Sequence, residues 1–190
     1  EKVFIFLVDS FISKGKAKGV YSDETIEKIK EKANVNRAIL PGAVAPDIYV
    51  MDTTDARKAM RFRFDTCTSS STLTRLYEQK AAELAPWWKT LSQVQAKYTI
   101  LVFWASDCGH CKTEIPRLND TLKALKGKID FKVFAVQTKD DYEPWRKFIL
   151  DHKLDFINVI DPVHINSYKA KYDVEATPVI FILDKDKRIK

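Results

Sequence analysis

Two cysteines three residues apart, in the run Cys108-Gly109-His110-Cys111, are the side chains of this sequence best suited to covalent chemistry. What a pair of thiols can do depends on the backbone that carries it. Upstream lies Tyr98-Thr99-Ile100-Leu101-Val102-Phe103-Trp104-Ala105, with the length and the β-branched and aromatic content of a strand buried on both faces. Downstream, Ile115, Leu118, Leu122 and Leu125 recur at steps of three or four while Lys112, Arg117, Lys123 and Lys126 fall elsewhere, the spacing of an amphipathic helix. The thiols therefore sit where a buried strand gives way to a helix N-terminus. There the first N–H groups lack partners and the dipole favours negative charge. A thiolate at Cys108 should gain from both, and its pKa should fall below the free value of about 8.5. Cys111 lies on the same helix face, within the short Cα separation a disulfide needs. His110 would add positive charge beside the thiolate, and Asp107 a negative charge that opposes it.

The competing use of paired cysteines is metal binding. A zinc site needs about four ligands, commonly a second Cys pair or a His pair. Here only Cys67, His152 and His164 remain, at no recognised spacing, so no metal and no cofactor are expected.

The elements that must position the thiols follow from the rest of the chain. With 190 residues, 45% hydrophobic and 31% charged, it can build one core plus an accessory element. No run approaches the ~20 apolar residues of a membrane span. The +6 charge comes from 32 Lys+Arg against 26 Asp+Glu scattered together. Without an arginine cluster, glycine-rich loop or RNA-binding aromatic motif, this reads as a solvated surface and not a nucleic-acid footprint. Residues 3–14 read as a helix ended by Gly15 and Gly19, and Ser22 opens a second one. Residues 1–34 are then the tail of an upstream helical domain or an N-terminal extension, and 35–46 a linker. The chain opens within a helix and stops as a strand begins, as a fragment would.

Residues 47–190 form the main domain. Strands are expected at 47–52 and at 59–64, where Met60, Phe62 and Phe64 alternate with Arg61 and Arg63. Between 66 and 97 the spacing predicts two helices, one from Leu73 to Leu84 and one opened by Pro86 that carries Trp87, Leu91 and Val94. Cys67 lies in this stretch as an unpaired structural thiol. Further strands are expected at 129–136, 156–160 and 178–183, with helices at 141–152 and 163–171 and a hairpin turn at 184–186.

Residues 103–116, FWASDCGHCKTEIP, resemble the active site of TlpA/ResA-type thioredoxin-fold proteins, which are extracytoplasmic thiol–disulfide oxidoreductases. The likeness extends to Gly42-Ala43-Val44-Ala45-Pro46-Asp47 and to Tyr172-Asp173-Val174-Glu175-Ala176-Thr177-Pro178, and covers about residues 42–190. It implies an α/β, thioredoxin-like fold: a central mixed sheet flanked by helices, here with an N-terminal helical segment, a helical insertion at 66–97 and the final helix missing. The sheet surface left by that helix would be covered by residues 3–14 or by a second chain, as in a homodimer.

The resemblance also implies roles. Cys108 would be the nucleophile and Cys111 the resolving thiol. Glu114, buried one turn beyond, would exchange a proton with Cys111; read from spacing alone it is a surface residue pairing with Arg117. Thr177-Pro178 would be a cis bond whose backbone docks substrate. Trp104 would be a lid on the disulfide or ordinary core. Cys-Gly-His-Cys also resembles the motif of protein disulfide isomerases, so the direction of electron flow stays open. Partners would be protein thiols and disulfides and an upstream redox protein, on the extracytoplasmic side, with any membrane anchor outside this chain. A non-catalytic binding module is the alternative. A thiol peroxidase fits less well, because such enzymes use a Thr-x-x-Cys site without a nearby resolving cysteine.

Overall fold

In the computed structural model, which describes residues 1–190, one six-stranded sheet carries the molecule. Its strands are β1 (Tyr49–Asp52), β2 (Lys89–Thr90), β3 (Tyr98–Trp104), β4 (Phe131–Gln137), β5 (Ile157–Ile160) and β6 (Val179–Asp184), in the order β2-β1-β5-β4-β3-β6. β3, β4 and β5 run parallel; β1 and β6 are antiparallel to their neighbours. The helices are α1 (Lys2–Leu7, continued by a π-helical turn to Ile12), α2 (Asp23–Ala38), α3 (Thr53–Ala59), α4 (Ser70–Leu84), α5 (Gly109–Leu125), α6 (Tyr142–Asp151) and α7 (Tyr168–Lys171). This is a thioredoxin-like fold with an N-terminal helical segment.

The apolar run read as a doubly buried strand is β3, at the heart of the sheet. Val102 and Trp104 point into one core with Cys111, Ile115 and Trp145. Leu101 and Phe103 point into the other with Leu91, Tyr168 and Tyr172. Each such buried side chain contributes roughly 1.5–3 kcal/mol, so alternation on β3 fixes its register and with it the place where the chain leaves the sheet.

Four expectations are corrected. Residues 59–64 are not a strand: Asp52 accepts N–H bonds from Thr54 and Asp55 and starts α3, which runs on into a 3-10 turn at Met60–Phe62. The Arg/Phe alternation serves a surface stack instead, with Phe62 parallel to Trp87 and the Arg61 guanidinium 4.8 Å from the Phe62 ring. Pro86 opens only a 3-10 turn, after which Lys89 and Thr90 pair with β1 and Leu91 drops into the core. The segment 35–46 is helical to Ala38, since Ser22 caps α2 and nothing stops it earlier. Finally, residues 3–14 do not cover the sheet. They lie against α2, where Arg37 pairs with Asp9, and Ile180 and Ile182 of β6 stay 46% and 50% exposed.

β6 is held at its far end by one carboxylate. Asp184 accepts from Lys190 Nζ at 2.6 Å and from the N–H groups of Arg188 and Asp186. The Lys190 ammonium first, then those N–H groups, hold its pKa at about 2, below the ordinary 3.8. A depressed carboxyl stabilises the fold above its ordinary value and loses that contribution as pH falls through the folded one. Amide-exchange protection at Asp186 and Arg188 should therefore drop between about pH 4 and pH 2, and Asp184→Asn should remove that pH dependence.

Candidate active site

The strand-to-helix junction places the thiols as follows. The chain leaves β3 at Trp104 and turns once, with the Cys108 N–H donating to the Ala105 carbonyl at 3.2 Å. Cys108 is then the N-cap of α5, in extended backbone conformation, and its Sγ accepts from the Cys111 N–H at 3.4 Å. Here sulfur takes the part that Ser or Asp oxygen usually plays at a cap. Thr177 comes from the other side: the Thr177-Pro178 bond is cis, and the Thr177 carbonyl lies 3.2 Å from Cys108 Sγ.

Solvation separates the two sulfurs. Cys108 is half-buried and flanked by exposed Asp107, Gly109 and His110, whereas Cys111 is fully buried among Trp104, Ile115 and Trp145. Burial pushes the Cys111 thiol up to about 11, with the Ala105 backbone opposing it in part. At Cys108 the slight burial also disfavours the anion, but hydrogen bonds outweigh it and the pKa falls below its ordinary value. They come from the Thr177 side chain, the Cys111 thiol and the N–H groups of Cys111 and His110. The Thr177 carbonyl, which can only accept, is the neighbour that favours the neutral thiol. The two protons belong to the pair, and the outer sulfur gives its up first.

Two expected site residues are corrected. Trp104 is no lid: it is fully buried, packed on Phe148 with ring centroids 5.2 Å apart. The alternation of β3 turns it into the core on the side of α5. Glu114 is not buried: its side chain is 49% exposed and reaches Arg117 Nη1 at 3.9 Å. Ile115 takes the inward position of that turn, leaving Glu114 on the rim. Cys67 sits apart, in the wall of a cavity of about 380 Å³ with Phe64, Asp140 and His164. No group of three or more His, Cys, Asp or Glu side chains is placed to hold a metal ion.

Two groups of supporting residues lie outside the motif. Gln137, at the end of β4, accepts from the Ser106 N–H and donates to Ser106 Oγ, both at 3.3 Å. Next to it the Thr138 N–H and hydroxyl donate to the Trp104 carbonyl. The sequence signal was a polar residue on the inward step Val133, Ala135, Gln137 of a strand. The second group ties α2 to the loop before Pro178: Lys32 pairs with Glu175 at 2.6 Å, and Asn36 donates to Asp173 at 3.5 Å. Nothing in the sequence linked positions so far apart.

Residues 79–190 match the AhpC/TSA family. No curated protein matches the sequence. Among solved structures, a domain of a possible thiol-disulfide isomerase from Cytophaga hutchinsonii is 34% identical, with a TM-score of 0.59; the match covers 80% of this chain and 82% of that one. A thioredoxin-like protein from Bacteroides caccae is 16% identical with a TM-score of 0.65, and the match spans 94% of this chain but 54% of that one. The thioredoxin domain of a thiol-disulfide oxidoreductase from Bacteroides vulgatus is 23% identical with a TM-score of 0.56, covering 80% of this chain and 86% of the other. With its buried β3, the junction thiols and the cis Thr177-Pro178 bond, the chain belongs to the AhpC/TSA family on the thioredoxin fold.

Proposed function

We propose that the protein exchanges disulfides with other proteins through Cys108 and Cys111, in the manner of TlpA/ResA-type oxidoreductases. The observation that carries this is the contrast between a half-exposed Cys108 sulfur served by N–H donors and a sealed Cys111 one turn behind it.

The Cys108 thiolate attacks one sulfur of a substrate disulfide, that S–S bond breaks, and the other sulfur leaves as a thiolate. Cys111 then gives its proton to the departing substrate thiolate and attacks Cys108 Sγ. The mixed disulfide breaks, both substrate sulfurs are free, and the Cys108–Cys111 bond holds the oxidised equivalent. An upstream dithiol protein returns two electrons; run backwards, the same steps oxidise or isomerise. The Thr177 backbone beside Cys108 is the docking edge for the substrate chain, and exposed His110 and Asp107 shape the charge there. The Cytophaga hutchinsonii relative, named for thiol–disulfide chemistry, supports this reading.

The place of action is the extracytoplasmic side, as the family resemblance implies. No helix of the structure is long and apolar enough to cross a membrane. The N-terminal helical segment, through the end of α2, acts as an accessory element that braces the loop before Pro178 through Lys32 and Asn36. Peroxidase chemistry fits less well: the position three before Cys108 is Ala105, not threonine, and Cys111 is a resolving thiol close at hand.

Thiolate absorbance of the reduced protein should rise in two steps for this pair, one below pH 9.0 and one near pH 11. Two unreactive thiols at neutral pH would instead favour a binding module. Cys108→Ser should abolish insulin-disulfide reduction, lowering the rate at least about a hundredfold. Cys111→Ser should keep the first attack and accumulate a mixed disulfide visible by intact mass. Glu114→Gln should change the exchange rate less than about twofold, because its carboxylate lies in water and an exposed pair contributes little.

A further inference from the structure

The turn that delivers Cys108 is held by a buried side chain from the neighbouring strand. Gln137 is 1% exposed and stands in register opposite Trp104, the last residue of β3. Its amide reaches across to Ser106, itself 6% exposed and two residues before Cys108. A backbone N–H can only donate, so the Ser106 N–H fixes the amide oxygen toward itself and leaves the amide NH2 for Ser106 Oγ. From below, the Tyr168 hydroxyl donates to the Gln137 carbonyl at 3.3 Å. Lost partners in such a place are costly, because water cannot replace them.

We propose that Gln137 is a positioning residue for the exchange reaction: by gripping both the N–H and the hydroxyl of Ser106, it sets the 105–108 turn that aims Cys108 at Thr177 and at the Cys111 N–H. Gln137 touches neither sulfur. It acts through Ser106 and the Ala105–Cys108 turn, whose geometry decides whether Sγ meets its donors. Without the grip the turn has other hydrogen-bonding solutions, and the sulfur drifts from the helix cap. The inference rests on the exchange reading, since it concerns how the same thiolate is held.

The test is the pH profile of Cys108 alkylation, mapped by peptide mass in the reduced full chain, with circular dichroism as the check of folding. Gln137→Met keeps the length of the side chain and removes both bonds. Its profile should move up by about one unit, with alkylation at pH 6 about tenfold slower. Ser106→Ala keeps the N–H bond and loses only the hydroxyl one, so about a two- to threefold slowing is expected. The double variant should be no worse than Gln137→Met, because both changes act on one grip. A purely structural role would lower the melting temperature and leave the profile in place. Folded variants with the wild-type profile would overturn the inference, and if Gln137→Met does not fold, Ser106→Ala decides alone. A wild-type Cys108 with an ordinary thiol profile would sink the exchange reading and this inference together; a shifted wild type with unshifted variants sinks this one only.

Discussion

Water reaches one sulfur of the pair and not the other, and the rest of the molecule exists to keep it so. A charge in an apolar interior is expensive, so Cys111, walled in by Trp104, Ile115 and Trp145, holds its proton up to about pH 11, while Cys108 at the mouth gives its own up below the ordinary value. The asymmetry needs β3 filled on both faces, since a wet face on that strand would let water in behind α5. It also needs a turn short enough to set both sulfurs on the first turn of that helix.

Much of this was legible because it is periodic or local. Steps of two on β3, steps of three and four on α5, and an apolar strand running straight into Cys-Gly-His-Cys all report local geometry. The cis Thr177-Pro178 bond came from resemblance alone, as no local rule demands it. What misled was alternation without strand pairing. Arg61, Phe62, Arg63 and Phe64 alternate like a strand, but the Asp52 cap starts a helix just before them; Phe62 stacks on Trp87 while Phe64 turns into the core. Around Pro86 a helical spacing was a coincidence, because pairing with β1 claimed Lys89 and Thr90.

The site residues divide on the same ground. Cys108 and Cys111 are named by spacing, but inward or outward is a tertiary fact. Trp104 and Glu114 each had two readings in the sequence, and packing chose the bland one for both. Gln137 and Ser106 lie 31 positions apart and meet only because β3 and β4 are parallel neighbours. The link from Lys32 and Asn36 to the loop at 173–175 spans more than half the chain. It gives the N-terminal segment a hold on the loop before Pro178 that its own sequence does not announce.

The cap of α5 is made by the same sulfur that the proposed exchange uses. An N-cap contributes about 1 kcal/mol to a helix, and linkage is reciprocal: whatever the helix gives the anion, the anion gives the helix. Were Cys108 Sγ drawn into a disulfide, it would give up the negative charge that makes it a good acceptor for the Cys111 N–H, and it would regain that charge on release. In the proposed exchange, the firmness of that first turn would follow the charge on one sulfur.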